Sequence, residues 1–147
     1  MILKHEQISS QEDIEVFITY PKKNKMVESI ISFVNSIGSN IECSLNGNTM
    51  LINIADIYYI ESIDNKTVVF CENENYQCKQ RLYQVYDRIN DMGFAQISKY
   101  CIANLNKIDK IKSIYNSRME ATLSNGKKLH INRKYIQDIK LKFKEDD

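Results

Sequence analysis

Residues 41–78 read IECSLNGNTMLINIADIYYIESIDNKTVVFCENENYQC, and this stretch decides the fold. Short runs of β-branched and aromatic residues alternate here with Asn, Asp and Gly, and such runs favour strands bounded by turns. Turns are predicted at Asn46-Gly47, at Asp64-Asn65 and over Glu72 to Asn75, and an Asn-Gly pair is a strong signal for a tight hairpin. The stretch therefore predicts several antiparallel strands.

The same pattern continues toward the C-terminus, with further turns predicted at Asn116-Ser117 and Asn125-Gly126. One helix interrupts the strands, because apolar residues recur with a period of three to four residues from Leu82 to Ile89 and Gly93 follows. A short closing helix is predicted from Arg133 to Phe143. The predicted fold class is mainly β (α+β), an antiparallel domain with one internal helix.

The first forty residues have a different sequence pattern. Ile14 to Tyr20 (IEVFITY) alternates as a strand does, and Pro21 is predicted to end that strand and to open a helix. Apolar residues then follow at helical spacing as far as Ile37, and Gly38 stands where a helix stop belongs. The sequence thus predicts a strand-helix extension over residues 1–38 and a second unit over residues 39–147.

Charge is distributed unevenly along the chain. Residues 1–96 hold 8 Lys and Arg against 13 Asp and Glu, whereas residues 97–144 hold 12 against 3, a net charge of +9. Such a segment creates a field that attracts a polyanion, and nucleic acid is the first partner to consider. The total of +1 hides this separation.

Motifs for catalysis, metal binding and membrane insertion are missing from the sequence. The four cysteines show no CxxC spacing and the two histidines are far apart, so buried reduced thiols are expected and no metal ligands are assigned. Glycine-rich phosphate loops and nucleophile motifs are also missing, and we predict a non-enzyme without a cofactor. Without a signal pattern or an apolar run of about 20 residues, a cytoplasmic protein is expected.

Nine tyrosines raise the alternative of a surface on which single-stranded bases stack. Tyr58 and Tyr59 lie in a predicted strand, where one ring must face inward, and Tyr83 and Tyr86 lie on the predicted internal helix. Most of these rings are therefore expected in the core.

The order of motifs in the second half is more specific than any single residue. IADIYYIES (54–62), FAQISKYCIANLNKI (94–108) and KLHINRKY (128–135) resemble segments of the LytTR family of bacterial transcription regulators. The family motifs run approximately F-x-R-I-H-R-S-x-I-V-N and N-G-x-x-L-x-V-S-R-R-Y. The matching positions are Phe94, Ile97, Ile102, Asn104, Asn125, Gly126, Leu129, Arg133 and Tyr135. Gln96, Ser98 and Tyr100 stand where Arg, His and Ser are common, and Lys99 stands where a basic or polar residue is common.

The resemblance implies an antiparallel domain that grips duplex DNA with loops, on repeated promoter half-sites, as a pair of protomers. It assigns DNA contact to the turn Asp64 to Thr67, with Lys66 and Thr67, to Ser98-Lys99, and to Arg133-Lys134. Lys127 belongs to a wider set of lysines expected to attract the DNA backbone without reading bases. That set also contains Lys107, Lys110, Lys112, Lys128, Lys140, Lys142 and Lys144.

Residues 1–38 are too few for the receiver domain that precedes many LytTR domains, so a stand-alone regulator is predicted. The helix from Pro21 to Ile37 is expected to pair two copies, to dock on a regulatory membrane protein, or to cover one end of the sheet. Two functions of other classes stay open. They are an RNA or single-strand binding module and a module that docks its basic half on an acidic protein.

Overall fold

The computed structural model describes residues 1–143. Its helices are α1 (Lys25–Ile37), α2 (Leu82–Ile89) and α3 (Arg133–Phe143). The strands are β1 (Asn40–Leu45), β2 (Asn48–Asn53), β3 (Tyr59–Ile63), β4 (Lys66–Phe70), β5 (Asn75–Cys78), β6 (Phe94–Ser98), β7 (Cys101–Asn104), β8 (Ile108–Ser113), β9 (Met119–Leu123) and β10 (Lys128–Ile131). The internal helix and the closing helix are confirmed.

Two antiparallel sheets make up the β structure. One sheet has seven strands in the order β2-β1-β5-β4-β3-β7-β6, and the other has three in the order β10-β9-β8. Every recorded strand pair is antiparallel, so the predicted fold class is confirmed. The seven-stranded sheet separates two regions of core, because successive side chains of a strand point to opposite faces.

The first region of core lies between the seven-stranded sheet and α2. Ile60 and Ile102, which face each other across β3 and β7, pack here with Val85 and Ile89 of α2. The second region lies on the opposite face, where Tyr59 and Ala103 meet the three-stranded sheet and α3.

The four cysteines are free; Cys43, Cys78 and Cys101 are buried and Cys71 is half-buried. The expectation that most tyrosine rings lie in the core is wrong, because Tyr20, Tyr83, Tyr100 and Tyr115 are exposed. Tyr58 and Tyr59 are buried, but Tyr83 is 67% exposed because it lies on the outer side of α2.

The predicted turns are present, and the turn between β3 and β4 shows why these residues are used. Asp64 and Asn65 both adopt positive φ, 51° and 63°. The type I′ turn, one of the two turns that match the twist of hairpin strands, needs this left-handed backbone at both central positions, and Asp and Asn tolerate it better than other side chains do. The tight turn holds Lys66 directly opposite Ile63 at the tip.

The N-terminal strand is absent, which corrects one prediction. Residues 14–20 form no strand, and α1 begins at Lys25, not at Pro21, with the Asn24 side chain accepting a hydrogen bond from Val27 N (3.0 Å). Alternation favours a strand only where a neighbouring strand supplies hydrogen bonds, and Ile14–Tyr20 meets none. Pro21 remains outside the helix because the stronger cap, Asn24, follows it.

Helix α1 covers one end of the seven-stranded sheet. Asn53 Nδ2 donates to the carbonyl of Ile37 (3.0 Å), and Ile54 N donates to the carbonyl of Ser39 (3.0 Å). Covering the sheet, one of the three roles predicted for this helix, is thus present, and the other two stay predictions. The boundary between residues 38 and 39 stays a prediction.

Candidate nucleic-acid interface

Three segments predicted to approach DNA lie side by side at one end of the seven-stranded sheet. The β3–β4 turn is joined to the β6–β7 turn because Ser62 N donates to the carbonyl of Tyr100 (2.8 Å). The β6–β7 turn is joined to the start of α3 because Asn132 N donates to the carbonyl of Ile97 (2.9 Å). We refer to Lys66, Ser98, Lys99, Arg133 and Lys134, which lie on these segments, as the basic row.

The cations of the basic row are available to a ligand. Lys66, Lys99, Arg133 and Lys134 are all exposed, and none of them forms a salt bridge with another described side chain. Arg133 therefore does not pair with Asp138. Lys99 Nζ lies 5.4 Å from the centre of the Tyr100 ring, and Lys134 Nζ lies 5.5 Å from that of Tyr135. Aromatic neighbours of this kind attract a cation weakly at an exposed site, so the charges stay accessible.

Ser98 is half-buried at the end of β6, where the pairing with β7 shifts register. Its Oγ accepts a hydrogen bond from Tyr100 N (3.3 Å). The hydroxyl hydrogen remains free to be donated to a phosphate or to a base edge.

Thr67 does not belong to the basic row. Its side chain is only 4% exposed, and it lies on β4 opposite Ser62 and Cys78. A buried hydroxyl cannot reach DNA, so the predicted contact of the β3–β4 turn rests on Lys66 alone.

Lys127 stands apart from the row, on the turn between β9 and β10. Its backbone N donates to Asn125 Oδ1 (3.0 Å), and its Nζ lies 6.0 Å from the centre of the Tyr59 ring. Burial raises the pKa of Tyr59 to about 12, and Glu61 adds to this shift. Burial likewise raises the pKa of Cys101 to about 12, against the opposing effect of Lys127. Both groups are neutral at pH 7, and the lysine supplies the charge.

Two of the lysines expected to add diffuse attraction are partly neutralised. Glu120, on the middle strand of the three-stranded sheet, lies 3.6 Å from Lys112 Nζ, 4.0 Å from Lys128 Nζ and 3.6 Å from His130 Nε2. A carboxylate among these groups reduces the outward field of β8 and β10. Lys144 lies outside the described residues.

Sequence patterns alone did not find Asn132, which positions the row through its backbone hydrogen bond to Ile97. An Asn directly before a helical run is a helix-start signal and could have marked it. Over residues 1–143, no three His, Cys, Asp or Glu side chains are grouped as metal ligands. Nor does that part of the chain contain a helix that is long and apolar enough to cross a membrane.

Residues 47–144 match the family model described as the LytTr DNA-binding domain. The match covers well over half of the chain, and the protein belongs to the LytTR family. Its resemblance to that family, noted from the motifs, is confirmed. The family is one of DNA-binding regulators, and the basic row lies within the matched residues.

Relatives among known proteins agree with this membership. The sensory transduction protein LytT of Bacillus cereus is 29% identical over 91 residues, which is 62% of this chain and 37% of that protein. LytT of Enterococcus faecalis is 24% identical over 87 residues, 59% of this chain and 36% of that protein. The chain thus matches little more than a third of the length of either relative.

A solved LytTr DNA-binding domain from Bacillus cereus has the same fold. The two structures superpose with a TM-score of 0.68 at 19% sequence identity. The superposition covers 72% of this chain and 97% of the Bacillus cereus domain.

Proposed function

We propose that this protein is a bacterial transcription regulator that binds duplex DNA sequence-specifically through the basic row. The observation that carries the proposal is the pair of backbone hydrogen bonds, Ser62 to Tyr100 and Asn132 to Ile97, that line up the three segments. Family membership supports the same function. The regulator would act in the cytoplasm on promoter repeats, with one protomer on each half-site.

The dimensions of the row suit a DNA groove. Lys66 on β4 and Ser98 on β6 are separated by three strand spacings, roughly 14 Å at about 4.8 Å each. The major groove of B-DNA is about 12 Å wide, so side chains over this part of the row would reach both its base edges and its flanking phosphates. Lysine and arginine donate hydrogen bonds to guanine O6 and N7 in that groove, and lysine, arginine and serine all donate to phosphate oxygens.

Binding should weaken steeply as salt is added. If about 4 to 6 phosphates are neutralised, log K should fall against log salt with a slope of about −3.6 to −5.4, since each phosphate contributes about −0.9. Fluorescence anisotropy of a labelled duplex at several salt concentrations measures this slope. A slope near zero would exclude the backbone contacts.

Competition in the same assay tests the two alternative functions, the RNA or single-strand binding module and the module that docks on an acidic protein. An excess of unlabelled duplex should displace the labelled duplex, whereas single-stranded DNA and RNA of equal length should compete poorly. The exposed tyrosines give no support to a stacking surface, because Tyr20, Tyr83, Tyr100 and Tyr115 lie on different segments of the chain. Preferential competition by single strands would favour the stacking function instead.

Lys66→Ala should remove one local contact. Lys66 is exposed at the tip of the β3–β4 hairpin and pairs only through its backbone with Ile63, so the fold should not change. Hydroxyl-radical footprinting should show lost protection at one end of each half-site, with protection elsewhere retained. Lys79→Ala, an exposed lysine beyond the end of β5, is the matched control. A footprint unchanged by Lys66→Ala would remove the hairpin from the interface.

A further inference from the structure

Strand β2 is an open edge of the seven-stranded sheet, because it pairs with β1 and with no other described strand. Met50 is 37% exposed and Leu51 is 69% exposed on this edge. The strand, NTMLIN, contains neither a charge nor a proline. Natural edge strands usually carry such residues because unpaired backbone groups invite another strand. An edge without them suggests that it has a partner.

A second segment of the same chain has the sequence of a strand but lacks a neighbouring strand. Residues 14–20 (IEVFITY) have the composition and the alternation of a strand but no pairing. Ile14 is 88%, Val16 56% and Phe17 91% exposed. Seven residues with these exposed apolar side chains match the six residues of β2 in length.

The geometry opposes pairing of these two segments within one molecule. Helix α1 ends beside β2, through the bond from Asn53 to Ile37, and runs away from it over its 13 residues, roughly 18 Å from first to last residue. Ser32, further toward its start, lies beside Gly93 at the other side of the sheet. The link from Tyr20 to Lys25 extends at most about 18 Å. The whole length of the link is needed to run back along the helix, so residues 14–20 would not reach the outer side of β2 in the same molecule.

We infer that residues 14–20 of one molecule add as an outer strand to β2 of a second copy, and that the exchange is reciprocal. Ile14, Val16 and Ile18 share one face of such a strand and would extend the face of β2 on which Met50 and the core residue Ile52 lie. Phe17 on the other face would lie near Leu51. The segment carries a single charge, Glu15, and β2 carries none, so no like charges meet. Reciprocal exchange closes as a two-fold dimer without DNA.

Sedimentation velocity of the full chain, from micromolar to millimolar concentration, tests this dimer. The unmodified protein should dimerise with increasing concentration. Val16→Pro removes a ladder donor in the segment, and Leu51→Lys places a charge on the edge, so each should weaken dimerisation by roughly tenfold or more. Neither change touches the core, since both side chains are exposed, and thermal unfolding of the monomer should be unaltered.

Matched variants outside the two segments serve as controls. Ile8→Pro and Tyr83→Lys alter exposed residues and should dimerise as the unmodified protein does. Hydrogen exchange should show that amides of residues 15–19 and of β2 become protected together as concentration rises.

A protein that stays monomeric at all concentrations would overturn the inference. So would loss of the dimer by only one of Val16→Pro and Leu51→Lys, because the segment and the edge would then have different partners.

Discussion

Replacing Lys99 and Arg133 together by alanine should abolish recognition of a specific site. A side chain that reads a base contributes about 1–3 kcal/mol, so the double variant should lose at least about 2 kcal/mol, roughly 30-fold in affinity. Both residues are exposed and free of salt bridges with described residues, and a cation in the first turn of α3 does not favour the helix. Stability should therefore be unchanged. Anisotropy titrations of a selected duplex and of a random duplex measure the two affinities.

The ratio of these two affinities shows whether Lys99 and Arg133 read bases or only attract the DNA backbone. Lys110→Ala combined with Lys140→Ala removes the same charge from exposed positions on β8 and α3, and should weaken both duplexes alike. If the Lys99 and Arg133 variant also weakens both duplexes equally, these residues hold the DNA backbone and do not read its bases.

Replacing Phe94 by alanine should lower the free energy of unfolding by about 3–5 kcal/mol, the usual cost of emptying the space of a buried aromatic side chain. Phe94 is fully buried, begins β6 and packs in the core region beneath α2. Its carbonyl also accepts a hydrogen bond from Lys142 Nζ (3.1 Å), whose pKa is lowered by burial. Urea denaturation followed by circular dichroism measures the change.

The chain provides a matched control for this variant. Phe17→Ala makes the same substitution at a ring that is 91% exposed, and should change stability by less than about 0.5 kcal/mol in the monomer. Equal losses at the two positions would contradict the described packing of β6.

Local signals explain which parts of the fold could be predicted. The turns at Asp64-Asn65 and Asn125-Gly126 depend on backbone preferences of those residues, and α2 depends on spacing within eight residues. Sheet order depends on pairings between residues far apart in sequence. The position of β5 between β1 and β4 could not be read from local patterns for that reason.

The candidate site shows the same division. The exposed lysines of the basic row could be named from motifs, but their alignment comes from two backbone contacts between distant segments. The sequence alone could have excluded Thr67 from the DNA-contacting residues. Side chains of a strand alternate between faces, and Thr67 shares its face with the core residue Val69. The strand expected at residues 14–20 failed because alternation reports what a segment favours and not whether a neighbour exists.

The hydrogen bonds that align the basic row join main-chain atoms, Ser62 N to Tyr100 O and Asn132 N to Ile97 O. These main-chain bonds do not use the side chains of Lys66, Lys99 or Lys134. If the row reads DNA as we propose, single substitutions at Lys66, Lys99 or Lys134 should change target preference and leave thermal stability unaltered. On the same proposal, duplicated copies of this scaffold would acquire separate operators without refolding, and the row would be the place to engineer promoter choice.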